Sequence, residues 1–145
     1  METESLTILL IEDNLDHVEL IRRGFQDHQI PNTIYHVADG EAALDYLFQR
    51  GEYADPRKSP PPHVILLDLR LPKIDGLEVL KEIKDDDDLG QIPVIVLTTS
   101  EAEKDIAQAY VSHANSYLVK PVDFGKFTQL MNDLGFYWLG WNRQP

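Results

Sequence analysis

Cysteine is absent from the 145 residues. That excludes disulfides, thiolate metal sites and cysteine nucleophiles. Long apolar runs are absent as well: nothing approaches the ~20 consecutive apolar residues of a membrane-spanning helix. The opening segment, METESL, is acidic and polar, and has neither the basic start nor the apolar centre of a secretion signal. These absences point to a soluble, cytoplasmic protein. Basic residues are few, 13 Lys and Arg against 25 Asp and Glu, and the net charge is −12. A nucleic-acid surface needs a basic stripe to displace counterions, whereas the basic residues here are scattered. Nucleic acid and anionic lipid are therefore not the expected partners. A basic protein surface, or a divalent cation, suits the charge better.

What the chain does have is 43% hydrophobic residues, enough for one core, so a single domain over residues 1–145 is expected. Strand-length apolar runs alternate with helical spacing. The runs are 6–11, 33–37, 64–68, 93–98 and 116–119. Between them lie a helix over about 15–28 with Val18, Ile21 and Phe25 inward, and one carrying Leu44, Leu47 and Phe48. A third covers about 76–84 with Leu77, Leu80 and Ile83 inward. The fourth, with Ala102, Ile106 and Ala109, opens on a Ser100/Glu103 capping box. The last covers about 123–134, with Phe127, Leu130, Met131 and Leu134 on one face. Asn14, Asp39 and Asp123 are the expected caps of the first, second and last. Residues 50–63, with four prolines, read as a long surface loop. The acid run Asp85 to Asp88 reads as a solvated turn, since it lacks the alternating oxygens and closing Glu of a calcium loop. Alternating strands and helices imply an α/β fold, a flavodoxin-like (βα)5 three-layer sandwich. Its five-stranded parallel sheet has the order 2-1-3-4-5.

In that topology the site lies at the carboxyl ends of the first and third strands. Glu12 and Asp13 follow the first strand, Asp68 ends the third, Thr98 the fourth and Lys120 the fifth. Two like charges ~4 Å apart repel by about 4 kcal/mol at an effective dielectric of 20. Three carboxylates sharing one pocket therefore call for a cation, and hard oxygen donors suit Mg²⁺, with Mn²⁺ as the alternative. A carboxylate beside that cation and the Lys120 ammonium is a good phosphoryl acceptor, because phosphoryl transfer needs chiefly positioning and charge stabilisation. Thr98 would donate a hydrogen bond to the arriving group.

Glu12-Asp13, Asp68, Thr98 and Lys120-Pro121, in this order and spacing, resemble the signature of response-regulator receiver domains over about residues 5–134. The resemblance implies that Asp68 accepts a phosphoryl group from a sensor histidine kinase. It implies that Asp13 and Asp68 bind the metal directly, the backbone carbonyl of Arg70 completes the protein ligands, and Glu12 acts through water. Tyr117 matches the aromatic switch residue that responds to Thr98, and the Lys120–Pro121 peptide bond matches one that is cis in the family. Kinase docking would use Asn14, His17, Leu20 and Pro121. Such a domain catalyses only its own phosphorylation and dephosphorylation, so it is not counted as an enzyme. Glu12 replaces the commoner Asp, Arg70 and Ser100 stand where residues gate hydrolysis, and Ser112-His113-Ala114 replaces a Gly-Ala turn. Together the 50–63 loop, VLTTSEAEKDI and the tail FYWLGW resemble stand-alone regulators of phytochrome-type kinases.

Plainer readings exist for each residue: Asp68 as a turn cap, Thr98 as a strand end, Lys120 as a surface lysine, Tyr117 as core packing. The five histidines show no ligand spacing. The tail aromatics Phe136, Tyr137, Trp138 and Trp141 either cover the protein's own core or form a symmetric homodimer contact. A flavodoxin would need a phosphate loop where Glu12-Asp13-Asn14 stands. A haloacid-dehalogenase-type phosphatase would need an acid where Arg70 stands. A pseudo-receiver acting as a phosphorylation-independent adaptor is the alternative function. The leading expectation is a response regulator whose output is binding to an unidentified downstream protein.

Overall fold

The computed structural model describes residues 5–99 and 116–134. Five parallel strands form one sheet in the order β2-β1-β3-β4-β5, the flavodoxin-like order expected. They are β1 (Leu6–Ile11), β2 (Asn32–Val37), β3 (Val64–Asp68), β4 (Val94–Thr98) and β5 (Ser116–Val119). The helices are α1 (Leu15–Asp27), α2 (Gly40–Leu47), α3 (Gly76–Asp85) and α4 (Phe124–Asp133). The helix expected to open at Ser100 and Glu103 and carry Ala102, Ile106 and Ala109 lies outside the described residues. So do the Ser112-His113-Ala114 turn and the aromatic tail with its dimer contact.

β3 and β4 are buried along their whole length. Both faces of the sheet are covered, so their sequences are apolar without alternation. Successive residues still point to opposite faces, and this sorts the core into two halves. Ile8, Leu10, Leu66, Ile95 and Leu97 pack with α1 and α4, whereas Leu9, Ile11, Leu67, Val94 and Val96 pack with α2 and α3. On the first side Phe25 meets Phe124 and Phe127 edge to face, with centroids 5.0 and 4.9 Å apart.

The expected caps form. Asn14 accepts from the amides of Asp16 and His17, Asp39 from Ala42, and Asp123 from Gly125 and Lys126. The acid run is a solvated turn, in which Asp86 accepts from the amides of Asp88 and Leu89. Three expectations need correction. Phe48 lies past the end of α2 and is exposed, with Arg50 over its ring, while Ala43 and Tyr46 take the inward positions. Leu134 likewise caps the end of α4 and is exposed. The 50–63 segment is more than a surface loop. It contains a 3-10 turn (Gly51–Tyr53), buries Ser59 and Pro62, and is tied to α2 and its end. Tyr46 donates to the Pro60 carbonyl and Gln49 to that of Ser59. Among the described residues no helix is long and apolar enough to cross a membrane.

Candidate functional site

β1, β3, β4 and β5 are consecutive neighbours in the sheet, so the residues at their carboxyl ends meet on one edge. Burying a polar group is costly unless it is paired. Even so, three of the four buried polar residues among those described are Glu12, Asp68 and Thr98, all at this edge. Asp13 is at the exposed rim. Carboxylate oxygens of Glu12, Asp13 and Asp68 lie within 4.8 Å of one another. The Lys120 ammonium donates to Glu12 Oε1 and, at 3.2 Å, to Asp68 Oδ2.

Local backbone geometry holds these groups in place. Asp68 Oδ1 accepts from the Arg70 amide at 3.1 Å, and Glu12 Oε2 from the Asn14 amide at 3.2 Å. His36, on the neighbouring strand, bonds through Nε2 to the Glu12 carbonyl at 2.7 Å. The Lys120 amide donates to the Thr98 carbonyl at 2.7 Å and joins the ends of β4 and β5. The Lys120–Pro121 peptide is cis, as the resemblance implied. Arg70 is exposed.

Burial pushes the Asp68 carboxyl above the usual carboxylate range. The neighbouring Glu12 pushes the same way, while the Arg70 amide and Lys120 pull it back. Three carboxylates against one ammonium leave two negative charges uncompensated. The donor set is all hard oxygen, gathered within 4.8 Å. It fits a divalent cation of the magnesium or manganese kind.

Tyr117 stands opposite Val96 in the β4–β5 register and is half-buried against the α2–α3 side of the core. Burial raises its phenol pKa. Strand alternation places Thr98 on the same face as Val96. Beside the acidic cluster, towards α1, lies a cavity of about 520 Å³. His17, Leu20 and Pro121 line it with Ile21, Val122 and Phe124, and Lys120 and Thr99 border it. Three of the four expected docking residues thus share one surface. The fourth, Asn14, instead caps α1.

Sequence reasoning missed two members of the site. His17 was expected only at the docking surface, yet its Nδ1 lies 3.0 Å from Lys120 Nζ and 3.7 Å from Glu12 Oε1. The available signal was its position three residues after the Asn14 cap, in the turn nearest the β1 end. The second is His36, whose alternating position on β2 gave no hint of the Glu12 carbonyl.

The family model described as the response regulator receiver domain matches residues 8–132. The probable methanogenesis regulatory protein FilR2 of Methanothrix harundinacea is 47% identical over 95% of this chain and 86% of its own length. Response regulator Rcp1 of Synechocystis is 42% identical over 91% of this chain and 88% of its own. The solved bacteriophytochrome response regulator AtBRR superposes with a TM-score of 0.84 at 44% identity, covering 93% of this chain and 96% of that one. The phosphorylated cyanobacterial phytochrome response regulator RcpA gives 0.73 at 41% identity, covering 94% and 95%. Rcp1 has also been solved in a Mn²⁺-bound form, with a TM-score of 0.70 at 42% identity, covering 90% and 93%.

Proposed function

This chain belongs to the response regulator receiver family, and on that premise we propose that Asp68 accepts a phosphoryl group from a sensor histidine kinase and so controls binding to a downstream protein. The observation that carries the proposal is the Lys120 ammonium bridging Asp68 and Glu12 within a cluster of three carboxylates. Such a cluster is costly to bury, and a phosphoryl-transfer site is a use that requires it.

A carboxylate oxygen of Asp68 attacks the phosphorus of the donor phosphohistidine. The P–N bond breaks, and the leaving imidazole takes up a proton. Glu12, Asp13, Asp68 and the Arg70 backbone carbonyl would hold Mg²⁺, which when bound supplies neutralising charge to the equatorial phosphoryl oxygens. Lys120 transfers a hydrogen bond from Asp68 to a phosphoryl oxygen, stabilising the same charge. Thr98, buried at the end of β4, donates its hydroxyl to the group. The Thr98 hydroxyl moves to do so, and Tyr117, on the same face of the sheet, responds and shifts an existing two-state equilibrium.

The kinase docks over the cavity formed by His17, Leu20 and Pro121, next to Lys120. A phytochrome-type kinase in the cytoplasm is the proposed donor, supported by the likeness to AtBRR and RcpA. The test is incubation with phosphoramidate and Mg²⁺, followed by intact mass. A gain of one phosphoryl group in the wild type but not in Asp68→Asn supports the proposal. Equal labelling of both proteins overturns the choice of Asp68.

A further inference from the structure

The Lys120 ammonium has three hydrogens and three side-chain acceptors within reach. Two belong to the acidic cluster, Glu12 Oε1 and Asp68 Oδ2. The third is His17 Nδ1, 3.0 Å away on the first turn of α1. We infer that His17 is a positioning residue for phosphoryl transfer, its Nδ1 holding the Lys120 ammonium in place while the other two acceptors are engaged elsewhere. The inference rests on the reading of Asp68 as phosphoacceptor.

The three acceptors differ in what the reaction asks of them. Asp68 becomes an acyl phosphate, and its hold on Lys120 passes to the incoming group. Glu12 is shared with the cation. His17 alone of the three neither takes the phosphoryl group nor serves the metal, so it is the fixed point through the transfer. A fixed point is needed because Lys120 borders the cavity towards α1. A four-carbon stem retains much rotamer freedom, and a hydrogen left unpaired would draw the ammonium towards cavity water.

The backbone that carries the imidazole is well anchored. Asn14 caps the His17 amide at 3.2 Å, and Val18, Ile21 and Phe25 bury α1 against the sheet. To accept from Lys120, the ring carries its proton on Nε2.

The contact is made by Nδ1, and this permits a sharp test. The side-chain oxygen of Asn can stand near the Nδ1 position, whereas Gln carries its polar atoms out towards Nε2. The full chain and its His17→Asn, His17→Gln and His17→Leu variants are phosphorylated with phosphoramidate at saturating Mg²⁺, and initial rates are read by intact mass. A small donor removes kinase docking from the measurement. Loss of one hydrogen bond to a charged group predicts a fall of about tenfold in His17→Leu and His17→Gln, with His17→Asn within about threefold of the wild type. Asn is the weaker helix former of the two amides, so such a rescue is not a stability effect. Should His17→Leu fail to fold, the Asn/Gln contrast still decides. Wild-type rates in all variants, or an equal fall in all three, would overturn the inference while leaving Asp68 as acceptor. A wild type that takes no phosphoryl group from phosphoramidate or a cognate kinase would overturn the acceptor reading, and this inference with it.

Discussion

Without divalent cation, Asp68→Asn is expected to be more stable than the wild type. At an effective dielectric of 20, charges 4.8 Å apart interact by about 3.5 kcal/mol and charges 3.2 Å apart by about 5 kcal/mol. Glu12 therefore repels Asp68 by at least about 3.5 kcal/mol, and exposed Asp13 adds about 1 kcal/mol at the dielectric of water. Lys120 attracts it by about 5 kcal/mol. These terms nearly cancel, which leaves the desolvation of a buried carboxylate, several kcal/mol before its hydrogen bonds are counted. An asparagine oxygen still accepts from the Arg70 amide. A net gain of about 1–2 kcal/mol follows, or a Tm rise of about 4 °C for a domain of this size. The pH dependence has a definite sign. A raised carboxyl pKa in the folded state means that the wild type carries the cost above that pKa. The variant's advantage is therefore full above that raised value and shrinks as pH falls from it towards the unfolded one. Mg²⁺ should reverse the order, since the wild type gains about 2.7 kcal/mol at 100 times its Kd and the variant has lost a ligand. Thermal unfolding in chelator and in Mg²⁺ measures both effects. A variant that melts at or below the wild type in chelator would refute the reasoning, because attraction to Lys120 would then outweigh desolvation.

Lys120→Ala leaves Glu12 and Asp68 buried without their cation and should cost about 3–5 kcal/mol in chelator, much of it recovered in Mg²⁺. The phosphorylated variant should also lose phosphorylation-dependent partner binding, read by pull-down. At Gly76 an added Cβ would stand 2.6 Å from Leu69 Cα and 2.8 Å from the Asp68 carbonyl, both backbone atoms. Gly76→Ala should therefore cost about 1–3 kcal/mol and slow phosphorylation, as chemical denaturation and mass spectrometry would show. Leu20→Ala, at an exposed position on the cavity wall, should slow transfer from the kinase about tenfold, the cost of a lost apolar contact of about 1.4 kcal/mol, and leave labelling by phosphoramidate unchanged; equal loss with both donors counts against the docking surface. Tyr117→Ala should leave labelling intact and weaken binding of the downstream partner.

The sheet was legible because its strands are buried on both faces and stand out as uninterrupted apolar runs. Edges were less so. β4 begins at Val94 and not Pro93, because proline lacks the amide a ladder needs. Its carbonyl still accepts from Ile65. Helical spacing marked the inward faces of α1 and α3 but not where α2 stops, which left Phe48 on the wrong side. The 50–63 segment misled for another reason: its packing rests on hydrogen bonds from Tyr46 and Gln49 to loop carbonyls, and carbonyls carry no sequence signal. Four strand-end positions brought the acidic cluster and Lys120 together on topology alone. His17 stayed hidden because its partner lies 103 residues away on another element, and no spacing rule reaches that far.

The alternation of the strands also divides the site into two sides. In β5, Tyr117 joins the α2–α3 half of the core while Leu118 joins the α1–α4 half. Lys120, two residues after Leu118, continues on the α1–α4 side, where His17 and the cavity are. Thr98 keeps to the side of Val96 and Tyr117. The residues proposed for docking and charge stabilisation are thus separated by the sheet from those proposed to report the result. Asp68, at the end of the central strand and two residues after Leu66, continues on the α1–α4 side and is within hydrogen-bond reach of Lys120. A partner docked at the cavity would not cover the Tyr117 face. Loading and signalling then need not compete for one surface, and this is the arrangement a protein requires if it must leave its kinase before, or while, engaging the next partner.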